Sequence, residues 1–266
     1  MYKTFYGLKE RPFSKTPDPR FLYLSRGHQE ALARLQYVLE EREMALLTGE
    51  IGCGKTTLSR ALMDAMGEAY HFCFIFNPRL TALEFLRVLA RELLIDQPAL
   101  RKDELLGQIH TALYRYAGEG ICPVLVVDEA QLLPDREIFD EIRLLTNFQL
   151  DDSNLLSVIL MGQPELRSIL AAPQHEPFRQ RIGLMYHLQP LDLAEVQEYL
   201  DFRLTVAGGS PGLFTPDAVL RIFELSGGVP RRINQIATNA LLVGYGNDAA
   251  VIDAALLEGM ARELEL

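Results

Sequence analysis

Nothing in the sequence marks a chain made for oxidising surroundings or for the inside of a membrane. Cysteine is scarce: Cys53, Cys73 and Cys122 are an odd three without metal-ligand spacing, each in or beside an apolar or glycine-rich segment. That argues against a disulfide framework and for a reducing compartment. No stretch approaches the ~20 apolar residues of a membrane span. The first ten residues, from Met1 to Glu10, carry charges where a secretory leader would need an apolar run. The expectation is a cytoplasmic chain with no integral membrane segment. Positive charge is in short supply too: 26 Lys and Arg face 36 Asp and Glu, a formal net charge of -10. No global basic field therefore draws the chain to nucleic acid or anionic lipid, although a local patch would escape this count. Internal repeats and low-complexity tracts are missing as well. What is present is 266 residues, 48% hydrophobic and 23% charged, enough for one sizeable core and a smaller satellite.

Residues 5–23 mix aromatics with three prolines, which predicts an extended segment lying on a surface. From Gly27 to Glu43 apolar residues recur at helical spacing, and Met44 to Thr48 is a short apolar run before glycines. Further strand candidates are Tyr70–Phe76, Pro123–Val127, Leu155–Met161 and Gly183–Leu188. Helical patterns between them cover 56–66, 81–95, 102–118, 135–149 and 164–171. Nearly continuous apolar strands alternating with helices predict an α/β fold, a five-stranded parallel sheet covered on both faces. Beyond Pro190 only helical patterns remain, at 192–207, 215–226, 231–244 and 251–264. The expected division is an N-terminal linker and first helix at 1–43, an α/β domain at 44–190 and a small all-helical domain at 191–266.

The chemistry starts after the first strand. Gly49-Glu50-Ile51-Gly52-Cys53-Gly54-Lys55-Thr56 fits Gly-x-x-x-x-Gly-Lys-Ser/Thr without a gap, and it opens a helix that continues through Thr57. In such a P-loop the glycines let successive N–H groups curl around phosphates and the lysine reaches the terminal phosphates, while the threonine hydroxyl ligates magnesium. The reading is ATP with Mg2+. The run Val124-Leu-Val-Val-Asp128-Glu129-Ala-Gln131 ends a buried strand in two carboxylates. Asp128 is placed to hold the metal and Glu129 to act on the attacking water as general base. Gln163, after the fourth strand, fits either a hydrogen bond to the γ-phosphate or its water, or a turn residue before Pro164.

Two arginine pairs remain. Arg179 and Arg181 precede the last strand, where an arginine can reach a neighbouring subunit's γ-phosphate; Arg181 is preferred, and a solvated surface pair is the alternative. In Gly227-Gly-Val-Pro230-Arg231-Arg232 a proline in the first helical turn precedes arginines. Arg231 is assigned to the bound nucleotide, against the alternative of a basic residue on an exposed helix.

This constellation resembles an AAA+ ATPase with a helical lid domain, most closely the ExeA, general-secretion-pathway protein A or MshM type. The resemblance rests on Phe5-Tyr-Gly-Leu8, Pro12-Phe13, Pro17-Asp-Pro19, Phe21-Leu-Tyr-Leu-Ser25, His28, Glu30-Ala-Leu32, Leu47-Thr-Gly-Glu50, Asp128-Glu-Ala-Gln131, Gly162-Gln-Pro-Glu165 and the Pro230-Arg231 turn, across essentially the whole chain. It implies a homo-oligomer with active sites at subunit interfaces, an N-terminal segment against the adenine, and service to a secretion or pilus component, with recruitment to the inner membrane by a partner. Members of this type often continue into a membrane span and a peptidoglycan-binding part, neither of which lies within these 266 residues. A DNA-transposition regulator of the TniB or TnsC kind is the alternative with the same fold, and a P-loop small-molecule kinase is the alternative from another class.

Overall fold

Three apolar runs, Met44–Gly49, Cys122–Val127 and Ser157–Gly162, are buried at every position, and two others, Tyr70–Ile75 and Ile182–Leu188, only in part. That difference sets their places in a sheet, because a strand with neighbours on both sides has no solvent face to spend on polar residues. In the computed structural model, which describes residues 1–14, 18–134, 136–150 and 153–263, all five run parallel. In chain order the strands are β1 (Met44–Gly49), β2 (Tyr70–Ile75), β3 (Cys122–Val127), β4 (Ser157–Gly162) and β5 (Ile182–Leu188). Across the sheet the order is β2-β3-β4-β1-β5, so the partly exposed β2 and β5 are its edges.

The helices are α1 (Tyr2–Phe5), α2 (Arg26–Glu40), α3 (Lys55–Met66), α4 (Ala82–Glu92), α5 (Lys102–Gly118) and α6 (Arg136–Leu145). Then come α7 (Glu165–Ala171), α8 (Glu176–Arg179), α9 (Leu193–Val206), α10 (Pro216–Ser226), α11 (Pro230–Gly246) and α12 (Ala254–Glu263). The expected five-stranded parallel α/β sheet is the one observed. Small differences at element ends follow from pairing. β2 stops at Ile75 because β3, its only neighbour, offers a last partner in Val127, and Phe76 is left exposed. β4 begins at Ser157, opposite Val124, while Leu155 bonds instead to the Phe148 carbonyl. α6 ends at Leu145, where the Thr146 hydroxyl donates back to the Arg143 carbonyl, and Gln149 bridges to Asn154. Asp135, expected to open that helix, and Pro17 and Leu264 lie outside the described residues.

Contacts divide the chain into two units. The sheet unit comprises His28–Gly49 and Leu58–Leu188. Its core joins Cys73 and Ile75 of β2 to Phe85, Leu86 and Leu89 of α4, Ile109 and Leu113 of α5, and Ile138 and Ile142 of α6, all nearly inaccessible. Thr81 and Glu84 form a reciprocal capping box that satisfies donors at the start of α4.

The helical unit comprises Met1–Gly27, Glu50–Thr57 and Gln189–Leu266. Its core is built by α9, α10, α11 and α12 with Leu8, Phe13 and Phe21 of the N-terminal strap. Among the described residues an isolated bridge, Phe214 to Ile252, lies between the helices there. Among its described residues the segment before Arg26 is irregular apart from α1 and one 3-10 turn at Pro19–Phe21. Buried Arg203 ties it down: Nε donates to the Pro12 carbonyl at 2.6 Å, Nη1 to the Tyr199 hydroxyl at 2.9 Å, and the guanidinium lies over the rings of Phe21 and Tyr199. A buried guanidinium persists only with such partners.

Candidate functional site

In the sheet unit every strand ends at the same edge, because all are parallel. Val127 of β3 stands opposite Leu160 of β4, and Thr48 of β1 opposite Gly162 of β4. The residues that follow β1, β3 and β4 in the chain therefore start from the carboxyl edge of the sheet, where open α/β sheets take their ligands. Gly49 closes β1 with no room for a side chain, since a Cβ would sit 2.8 Å from the Leu188 carbonyl oxygen.

Asp128 follows β3, and its backbone N–H still donates to the Ile75 carbonyl at 3.0 Å, so the strand holds it firmly. Its side chain is 5% exposed and accepts from the Glu129 N–H at 2.9 Å. Glu129 turns out of the sheet in the left-handed region, φ 51, a rare conformation for a non-glycine residue and one that clusters at functional sites. Its carboxylate is held by two amides: Gln131 Nε2 donates to Oε2 at 2.5 Å and Gln163 Nε2 to the same oxygen at 3.1 Å. The structure thus brings Glu129 and Gln163 into contact. Gln131, to which the sequence reading assigned no role of its own, joins them; its position two residues after the carboxylate, in a tight 3-10 turn, was the only local signal.

The loop from Glu50 to Thr57 belongs to the helical unit. Gly52 and Gly54 take φ 89 and 100, a region L side chains avoid, so the loop needs glycine at both places. Cys53 is wholly buried and its N–H donates to the Glu50 carbonyl at 3.2 Å; burial pushes its thiol up despite the nearby Lys55, which keeps the sulfur protonated. Glu50 and Ile51 are exposed. Lys55 opens α3, is 5% exposed, and folds Nζ back onto the Glu50 carbonyl at 3.1 Å. Thr56 and Thr57, both half-buried, continue its first turn. The start of α11 lies on this loop: the Arg231 N–H donates to the Gly52 carbonyl at 3.3 Å, and a Cβ on Gly52 would come within 2.6 Å of Arg231 Cβ and 3.3 Å of Val229 Cγ1. Arg231 is thus placed beside the P-loop, through its backbone as well as its side chain.

The other arginines lie in the sheet unit. Arg179 ends α8 and faces Glu176 at 3.7 Å, both largely exposed. Arg181 is exposed, and its Nη2 donates to Asn147 Oδ1 at 2.6 Å. A neutral carboxamide orients a guanidinium without neutralising it, whereas Glu176 offers Arg179 an opposing charge. Among the described residues no group of three or more His, Cys, Asp or Glu gathers to hold a metal. No described helix is long and apolar enough to cross a membrane.

Comparison with known proteins agrees with this fold. Residues 38–170 match a family described as AAA domain. The chain is 43% identical over 249 residues to general secretion pathway protein A of Aeromonas hydrophila, which covers 92% of this chain but only 45% of that protein. Among solved structures the fold is similar to Cdc6p from Pyrobaculum aerophilum, with TM-score 0.70 at 19% identity over 93% of this chain and 71% of that one. It is also similar to Aeropyrum pernix ORC1 in complex with DNA, at 0.65 and 19% over 92% and 69%, and to the Thermotoga maritima RuvB Holliday junction branch migration motor, at 0.61 and 17% over 91% and 73%. With the P-loop opening α3 and the Asp128-Glu129 pair ending β3, the chain belongs to the AAA domain family of P-loop ATPases.

Proposed function

We propose that this chain binds ATP with Mg2+ and hydrolyses it as a homo-oligomeric switch serving a secretion or pilus machine. The observation that carries the reading is the P-loop itself: two glycines in conformations that free the backbone to curl, followed by a buried lysine at the first position of a helix. The residues suit the ligands. The glycine-rich loop backbone and Lys55 match a polyphosphate, and the Thr56 hydroxyl with the Asp128 carboxylate supplies the hard oxygen donors magnesium prefers. One carboxylate is enough, because substrate phosphates and water complete such a site. The secretion assignment rests on the relative from Aeromonas hydrophila, of which this chain spans less than half.

In this mechanism Gly49, Glu50, Ile51, Gly52, Cys53 and Gly54 wrap the phosphates, and Lys55 neutralises the terminal ones. Thr56 and Asp128 would hold magnesium, which would supply neutralisation of the negative charge that develops on the phosphates. Glu129 accepts a proton from the water that attacks the γ-phosphorus, while the bond to the bridging oxygen of ADP breaks. Gln163 orients that water and the carboxylate together. Arg181, held by Asn147, reaches the γ-phosphate of a neighbouring subunit, with Arg179 second. Arg231 senses the nucleotide from the helical part, 191–266, which serves as the lid. The enzyme works in the cytoplasm, recruited to the inner membrane by its partner.

The deciding experiment measures ATP turnover and oligomer mass together, with and without DNA or peptidoglycan. Phosphate release that needs no acceptor and rises steeply with protein concentration is expected, with stimulation by peptidoglycan and not by DNA. Stimulation by DNA alone would move the assignment to a transposition regulator, and transfer only to an added acceptor would sink the ATPase reading. Lys55→Ala should lose nucleotide affinity and Glu129→Gln should bind ATP without turning it over. Affinity like the parent's in Lys55→Ala contradicts the proposal.

A further inference from the structure

Glu129, Gln131 and Gln163 form a closed ring of three hydrogen bonds across the ends of β3 and β4. Gln131 Nε2 donates to Glu129 Oε2 at 2.5 Å, Gln163 Nε2 donates to that oxygen at 3.1 Å, and the backbone N–H of Gln163 donates to Gln131 Oε1 at 3.0 Å. One carboxamide thereby uses its donor on the carboxylate and its acceptor on the neighbouring strand end. The fold leaves room for it: at Gly162 a Cβ would lie 2.7 Å from Gln131 Oε1, so the last residue of β4 has no side chain where the carboxamide passes. Glu129 sits on a left-handed backbone that is uncommon for a non-glycine residue, and both amides grip its carboxylate at Oε2.

From this geometry we infer that Gln131 is the positioning residue for Glu129, locking the carboxylate to Gln163 so that base and water-orienting amide move as one. The inference rests on the reading of Glu129 as the base in ATP hydrolysis. Gln131 acts through Glu129, to which its amide donates. Its other side lines an open cleft of about 580 Å³ with Arg79, Thr81, Glu84, Leu133 and Pro134, so its hold comes from hydrogen bonds more than from packing. Truncation therefore leaves no sealed void and costs little stability.

The test is steady-state ATP hydrolysis by the full chain, with thermal unfolding and fluorescent-nucleotide affinity measured alongside. Gln131→Ala should lower kcat about 10- to 100-fold, the scale of a misplaced catalytic group, with KM and nucleotide affinity within about 2-fold of the parent. In a Glu129→Gln background the same change should cost nothing further, because it acts only through that carboxylate. Gln131→Glu keeps an acceptor for the Gln163 N–H but sets a second carboxylate beside Glu129, and should lose at least as much kcat; it carries the test if the alanine variant fails to fold. Unchanged or raised kcat, or a loss lying in KM, overturns the inference. Should Glu129→Gln itself turn over ATP normally, the reading of the base has failed instead.

Discussion

Gly52→Ala is the substitution whose cost can be worked most directly from the structure. An alanine there inherits φ 89, outside the ordinary range for L residues, at about 1–2 kcal/mol. Its methyl would also stand 2.6 Å from Arg231 Cβ and 3.3 Å from Val229 Cγ1. Those atoms belong to the first turn of α11 and the residue before it, which cannot swing aside like the tip of a long side chain. Relief means pushing backbone from backbone, at a further ~1–3 kcal/mol for overpacking, and it strains the Arg231 N–H bond to Gly52. Together these come to about 2–5 kcal/mol, which at ~2–4 °C per kcal/mol for a chain of this size lowers the thermal midpoint by roughly 4–20 °C. Gly67→Ala is the control: φ is 66, but nothing lies within 4 Å of the added methyl, and stiffening of the unfolded chain offsets part of the backbone cost. It should cost about 1 kcal/mol. Thermal unfolding by circular dichroism measures both, and a fluorescent-nucleotide titration should show affinity lost in the first variant and kept in the second. Equal midpoint shifts would refute the close packing of α11 on the P-loop.

Two other expectations concern the arginines and pH. If Arg181 acts on a neighbour's nucleotide, mixing Arg181→Ala with Glu129→Gln protein restores part of the activity that each lacks alone; Asn147→Ala, which removes the carboxamide holding that guanidinium, weakens turnover in the same assay, and mixed oligomers without recovery count against the role. His175, buried against the Phe139 ring, has its pKa pushed down, first by burial and then by Arg136, with Asp140 opposing. The unfolded chain therefore binds a proton that the folded one resists, so this contribution is fully present above the ordinary histidine value, about 6.5, and is lost as pH falls below it. Thermal midpoints measured from pH 7.5 to 5 should fall with a slope that flattens in His175→Gln, and parallel curves for the two proteins would show that His175 does not report on folding.

Much of the fold was legible because its signals are local. The nearly continuous apolar runs read as strands of a parallel sheet covered on both faces, and the P-loop declared itself because glycines, lysine and threonine must be contiguous to wrap a phosphate. The adjacent carboxylates of Asp128 and Glu129 followed from where β3 ends. Boundaries were less legible: Phe76 continues an apolar run and yet lies past the strand, because its neighbour strand has run out.

The sequence by itself determined the element types, the parallel sheet and the P-loop, all of which depend on periodicity or on adjacent residues. Tertiary structure alone decided which distant residues complete them. It placed β1 between β4 and β5, closed Gln131 and Gln163 around Glu129, laid Arg231 and Val229 on Gly52, and tied Pro12 to Arg203, 191 positions apart in sequence. Such pairings leave no periodic trace in the chain: a glycine tolerates a close approach and a buried arginine demands partners, but neither names the residue that comes to meet it.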